Sequence, residues 1–139
     1  MEPAAVLLAV NGTLMRGLEL NQNLLAVGAQ FEREAVTAPC YRLWSIGDRH
    51  PAMQRVASGG AAIALEVWRV SAAGLLQILQ QEPPGLCVGK IQLADGEIVL
   101  GVLGEAHCCA GACEITQWGG WRRYVAQRDQ SGVEALAGG

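Results

Sequence analysis

The turn Asn11-Gly12-Thr13-Leu14-Met15 follows directly on the apolar run Ala4 to Val10 and leads into Arg16-Gly17. Backbone N–H groups in such a turn have no ladder partner, and a ring of them forms an anion nest suited to a carboxylate. Gly12 lets the backbone approach a ligand closely. Arg16 can add a charge-assisted bond to the same anion. A second group is Gly104-Glu105-Ala106-His107. On an extended backbone Glu105 and His107 project to one face, where the pair is suited to proton transfer near neutral pH. Glu82, expected at the end of a helix, is a third candidate: an acid–base carboxyl if shielded, a solvated charge otherwise. Glu66 alternates with apolar neighbours. Burial would raise its pKa, but an outward-facing strand position is the expected one. His50, before Pro51, reads as part of a polar loop.

Other chemistries lack their residues. There is no nucleophile elbow, no phosphate-binding loop and no dinucleotide fingerprint. Gly59-Gly60 and Gly119-Gly120 do not have the context such motifs need, and no cofactor is expected. The five cysteines are Cys40, Cys87, Cys108, Cys109 and Cys113, with no C-x-x-C pair. A structural zinc site needs four ligands at workable spacing. Cys108-Cys109-x-x-x-Cys113, with His107 as the nearby His, does not supply it. No metal is expected, and the thiols read as reduced, small apolar side chains.

The elements that must position these groups are short. Ala4 to Val10 is a continuous apolar run, as for a strand covered on both faces. Leu20 to Ala26 forms a helical turn that Gly28 stops. Gln30 to Val36, Cys40 to Ile46, Met53 to Ala57 and Ala61 to Val70 read as strands, with Gly47-Asp48 as a turn. Ser71 caps a helix with the stripe Leu75, Leu76, Ile78 and Leu79, and Pro83-Pro84 ends it. Leu86 to Leu93 and Glu97 to Leu103 form a hairpin around Asp95-Gly96. Gly104 to Cys113 has no clear assignment. In Ile115 to Gln127, Trp118, Trp121, Tyr124 and Val125 can share one helix face across Gly119-Gly120. From Asp129 on, the chain reads as a flexible tail. The expected class is α+β: a small mixed barrel flanked by helices, one domain over residues 1–128 and a tail over 129–139. No internal repeat or linker occurs.

Composition narrows the function classes. The 139 residues are 51% hydrophobic, well above a disordered chain, with a formal net charge of −3. No basic run marks a nucleic-acid footprint, and no polybasic segment or cationic amphipathic helix marks a membrane surface. The start is acidic at Glu2, unlike a signal peptide, and Ala4 to Val10 is too short to span a bilayer. A cytoplasmic location is expected.

Ala9-Val10-Asn11-Gly12-Thr13-Leu14-Met15-Arg16-Gly17 resembles the glycine loop of gamma-glutamylcyclotransferase-like domains, whose pattern is Y-G-[ST]-L-[MN]. Thr37-Ala38-Pro39-Cys40-Tyr41-Arg42-Leu43, Gly59-Gly60-Ala61-Ala62-Ile63, Leu93-Ala94-Asp95-Gly96, Glu105-Ala106-His107 and Gly119-Gly120-Trp121-Arg122 are similar to the C-terminal domain of allophanate hydrolase, in the same order. The resemblance runs from about Val6 to Ala126. It implies the gamma-glutamylcyclotransferase-like fold with a pocket beneath the glycine loop. It also implies a small carboxylate as ligand and decarboxylation of N-carboxycarbamate beside a separate amidase. In that scheme Gly12, Thr13 and Leu14 would hold one carboxylate, and Arg42 or Arg16 a second. His107, oriented by Glu105, would protonate nitrogen. The alternative is a cyclotransferase that releases 5-oxoproline, with Glu82 as acid/base. Another is a non-catalytic partner of an amidase, for which four Trp offer interface anchors. A homodimer is also left open. Asn11 stands where the cyclotransferases often have Tyr, and Leu79-Gln80-Gln81-Glu82-Pro83 departs from their pattern around the acid.

Overall fold

The computed structural model describes residues 5–138. β1 (Ala5–Val10) carries Leu8, Ala9 and Val10, all essentially excluded from solvent. Three consecutive buried residues require cover on both faces, as the continuous apolar run predicts. β1 is accordingly the middle strand of a five-stranded sheet. Its neighbours are β5 (Ala64–Ser71), which runs antiparallel, and β7 (Ile98–Gly104), which runs parallel. β2 (Gln30–Val36) and β6 (Leu86–Gln92) form the edges. β3 (Tyr41–Ile46) and β4 (His50–Arg55) make an antiparallel hairpin, to which β8 (Cys113–Glu114) adds a third strand.

The α+β class holds, and the barrel is partial. The five-stranded sheet curls until its edge strands meet at one corner. There Thr37 bridges Leu93, the Ala38 N–H donates to the Gln92 carbonyl at 2.9 Å, and the Ala94 N–H donates to the Val36 carbonyl at 3.0 Å. The three-stranded sheet packs against it. The Tyr41 hydroxyl accepts from the Gln92 N–H at 3.0 Å, and the Gln54 side chain donates to the Gly104 carbonyl at 3.3 Å.

Local signals placed most elements. The β6–β7 hairpin turns at Asp95-Gly96, with Gly96 at φ +92°, a conformation that favours glycine. α1 (Asn21–Ala26) ends before Gly28. Ser71 caps α2 (Ala72–Gln81), its hydroxyl accepting from the Gly74 N–H at 3.0 Å. Only part of the α2 stripe is core: Ile78 is buried, whereas Leu76 is 58% exposed. β4 begins at His50, so this residue belongs to a strand and not to the loop that its polar neighbours suggested.

The segment after β7 is helical, not extended: α3 spans Ala106–Cys109. The face across Gly119-Gly120 is also broken. Thr116–Trp118 is a 3-10 turn, Gly119 adopts φ +74°, and α4 starts afresh at Trp121. α4 spans Trp121–Gly138 and thus runs through the segment expected to be a tail. Good helix formers on either side of Gly132 allow that continuation. Trp68 and Trp121 are buried in the core, while Trp44 and Trp118 are partly buried, so the tryptophans do not form one exposed anchor patch. No helix among the described residues is long and apolar enough to cross a membrane.

Removing the α2 cap leaves an amide at the helix start without its acceptor. Ser71→Ala is expected to lower stability by about 1 kcal/mol, and Ser71→Asp to retain it, as read by urea denaturation.

Candidate functional site

A cavity of about 230 Å³ opens beneath the turn that follows β1. Asn11, Gly12, Thr13 and Leu14 line it, with His50 and Pro51 from the start of β4 and Glu82 and Pro83 from the end of α2. The turn is held by its own carbonyls. Gly12 accepts from the Met15 N–H at 3.0 Å and Thr13 from the Leu20 N–H at 2.9 Å, while Leu14 accepts from the Asn21 side chain at 2.9 Å. The N–H groups of Gly12, Thr13 and Leu14 donate to no described acceptor. They are the free donors that the glycine turn predicts. Gly12 is also a matter of space: a Cβ there would lie 2.5 Å from Cδ of Pro51.

Asn11 is 4% exposed, and its Nδ2 donates to the Val102 carbonyl at 3.0 Å. That carbonyl only accepts, which sets the amide's orientation. The residue therefore ties the end of β1 to β7 from inside the cavity wall.

The two carboxyls near the turn have opposite environments. Glu82 is half-buried, and no described cation pairs with it; burial pushes its pKa up. Glu66 is 2% exposed, against the outward position expected from the strand alternation. Burial alone would raise it, but its bonds outweigh that cost. Oε1 accepts from the Arg16 N–H at 2.9 Å and from the Trp68 indole at 3.1 Å. Oε2 accepts from Arg16 Nε at 3.1 Å and from Arg122 Nη2 at 3.2 Å. The net effect holds its pKa below the usual carboxylate value, opposite to the rise that burial predicts.

The structure brings together Asn11, Gly12, Thr13, Leu14 and Glu82 and separates the other candidates from them. Met15 is buried and its N–H is used within the turn. Arg16 turns away from the cavity, bonding Glu66 and Glu34 with its guanidinium 3.7 Å from the Phe31 ring centre. Arg42 donates to the carbonyls of Gly59 at 3.1 Å and Ser58 at 3.2 Å, and pairs with Glu114. Neither arginine lines the cavity. Glu105 and His107 are exposed and also lie off it. The expected shared face does not form, because Glu105 stands at the N-cap of α3 and His107 within its turn. Two residues of helix turn a side chain through about 200°, where two residues of strand return it to the same side.

His50 lines the cavity and escaped the sequence reading, since a His-Pro step beside a turn carries no local sign of a site. Cys109 is buried, and burial together with Cys108 pushes its thiol up to about 11, so it is not a ready thiolate. Among the described residues, no group of three or more His, Cys, Asp or Glu converges as a metal would need.

A family model described as the allophanate hydrolase C-terminal domain matches residues 6–126. A crystal structure of a protein specific to uropathogenic E. coli is 53% identical, with a TM-score of 0.87, covering 88% of this chain and 97% of that one. Allophanate hydrolase of Kluyveromyces lactis is 29% identical with a TM-score of 0.84, covering 89% of this chain and 21% of that one. Urea amidolyase of Lachancea kluyveri is 29% identical over 128 residues, which are 87% of this chain and 7% of the relative. The chain thus spans only a small part of those larger proteins. The fold is gamma-glutamylcyclotransferase-like.

The two carboxyls give opposite pH responses. The Glu66 pKa is depressed in the fold, so its contribution is present above the ordinary 4.5 and is lost as pH falls through the folded value. The Glu82 pKa is raised, so its contribution is complete below 4.5 and is lost as pH rises through the folded value. Thermal unfolding against pH should show Glu66→Gln flattening the acid side and Glu82→Gln flattening the rising side. Glu66→Ala leaves the Trp68 indole and the Arg16 amide without acceptors and should cost roughly 2–4 kcal/mol. The half-exposed guanidiniums add little, because water screens them.

Proposed function

The chain belongs to the allophanate hydrolase C-terminal domain family, and from that premise we propose that it binds a small carboxylate beneath the glycine turn and uses Glu82 as its acid. The observation that carries this reading is a carboxyl with raised pKa in the same cavity as three amides that have no acceptor among the described residues. The amides of Gly12, Thr13 and Leu14 suit an anion, or an oxygen that becomes one during reaction. A carboxyl whose pKa burial raises is suited to donating to a leaving nitrogen.

The reaction that uses both is of the gamma-glutamylcyclotransferase type. The amine of a gamma-glutamyl compound attacks its own side-chain amide carbonyl. Negative charge develops on the carbonyl oxygen at the turn. The attacking amine gives up a proton to a base, the amide C–N bond breaks, Glu82 protonates the departing nitrogen, and 5-oxoproline leaves.

Family membership favours a second reading, in urea and amide nitrogen metabolism. Two of the relatives named above are an allophanate hydrolase and a urea amidolyase, and this domain is a small part of each. An amidase is accordingly the proposed partner, in the cytoplasm, and the ligand would be its N-carboxylated product. Decarboxylation also needs a proton delivered to nitrogen. In this reading Glu82 would supply it, in the role that the resemblance gave to His107.

Release of 5-oxoproline from gamma-glutamyl-L-alanine tests the first reading. Glu82→Gln should reduce the rate by about 10²–10⁴, the usual worth of a positioned acid, while His107→Ala should leave it unchanged. Carbon dioxide release from amidase-generated N-carboxycarbamate tests the second. A rate equal to the uncatalysed one there, with 5-oxoproline release intact, would exclude decarboxylation.

A further inference from the structure

The cavity beneath the turn holds a second group able to handle a proton. His50 Nδ1 lies 3.0 Å from the Pro51 carbonyl oxygen. A carbonyl only accepts, so Nδ1 carries a hydrogen, and in the neutral tautomer with that hydrogen Nε2 has the lone pair. The ring's mounting is rigid. Ile46 pairs with His50 across the β3–β4 turn, which the Arg49 N–H closes on the Ile46 carbonyl at 3.1 Å. Asp48 in that turn is held by the Ser45 hydroxyl at 2.6 Å and the Tyr124 hydroxyl at 2.7 Å. On the other side, the Pro51 ring fills the space beside Gly12. The imidazole therefore sits next to the contact that seats the glycine turn.

Cyclisation requires two proton transfers. The attacking amine loses a proton, and the departing nitrogen gains one. A carboxyl whose pKa burial raises suits the second transfer, and the first asks for a lone pair within the same cavity. Other polar side chains line the cavity, but none suits the first transfer as well. Arg49 has no lone pair to offer. The Asn11 amide is not a useful base, and the Thr13 hydroxyl holds its own proton. Glu19 is exposed to water on the turn before α1.

We propose that Nε2 of His50 accepts the proton of the attacking amine while Glu82 donates to the departing nitrogen. This assignment rests on the cyclotransferase-type reading. The new C–N bond forms between the amine and the side-chain carbonyl carbon, and the amide C–N bond breaks. The amine's proton passes to His50 and the Glu82 proton to the leaving group. The imidazolium then returns a proton to the Glu82 carboxylate, so both groups are restored and no co-reactant is consumed.

The test uses the whole chain with gamma-glutamyl-L-alanine. His50→Ala and His50→Gln should each lower kcat by about 10²–10⁴, with KM changed far less. Added imidazole should restore part of the activity to His50→Ala and none to Glu82→Gln. Full activity in both His50 variants, with an active wild type, overturns the assignment and leaves the cyclotransferase reading standing. A loss in folded His50→Ala that imidazole does not relieve makes His50 a positioning residue and also overturns it. An inactive wild type overturns both. Nitrogen-15 NMR of the imidazoles gives a readout apart from turnover. His50 should show the Nδ1–H tautomer, and 5-oxoproline should shift its Nε2 while the His107 signals stay in place. An Nε2–H tautomer, or no shift under saturating 5-oxoproline, removes His50 from the mechanism.

Discussion

A carboxylate buried at Glu66 organises the region around the turn. An ion with 2% exposure is costly unless its lone pairs are satisfied. Glu66 meets that condition with four donors from three parts of the chain: the Arg16 amide and guanidinium, the Trp68 indole and the Arg122 guanidinium. Arg16 is bound at both backbone and side chain, so the end of the glycine turn cannot swing. Arg122 also donates to the Arg16 carbonyl at 3.0 Å, which draws the start of α4 into the same cluster. With the Arg16 amide taken by Glu66 and the Met15 amide by Gly12, the donors left at the cavity are those of Gly12, Thr13 and Leu14. The set of unpaired amides is thus bounded from its far side.

Glu66 and Glu82 show why residue type alone does not assign a role. Both are Glu, and burial pushes the pKa of both upward. At Glu66 the donors reverse the balance, and the group is a fixed negative charge. At Glu82 nothing described opposes burial, so its pKa lies above the ordinary carboxyl value. Pro83-Pro84 ends α2 next to that residue, leaving Glu82 at the C-cap with extended backbone. A helix stop that serves folding also sets the carboxyl at the cavity.

Elements governed by near neighbours in sequence were legible. The Asp95-Gly96 hairpin, the Ser71 cap, the Pro83-Pro84 stop and the buried first strand each follow from a few adjacent residues. The glycine turn was legible for the same reason, as was the lack of a ladder partner for its amides. Features set by distant contacts were not. Arg16 is a plausible anion ligand until Glu66, fifty residues on, claims it. Arg42 is drawn to the carbonyls of Ser58 and Gly59 in the connection between β4 and β5. For Glu105 and His107 the difficulty is local: four residues of helix between two strands leave too short a period to separate from extended chain.

His50 marks the limit of spacing arguments and shows what replaces them. Its neighbours Arg49 and Pro51 suggest a loop, and no motif includes it. Its place at the cavity follows from two tertiary facts: the β3–β4 register that pairs it with Ile46, and the absence of a Cβ at Gly12 where Pro51 needs room. The glycine that a nest requires for close approach to a ligand is also the glycine that admits the Pro51 ring. One missing methyl group therefore bears on the turn and also seats the strand that carries the imidazole. Substituting Gly12 would disturb both together. Removing the His50 ring beyond its Cβ leaves the Gly12–Pro51 contact in place, so the role proposed for the ring can be tested apart from the architecture that holds it.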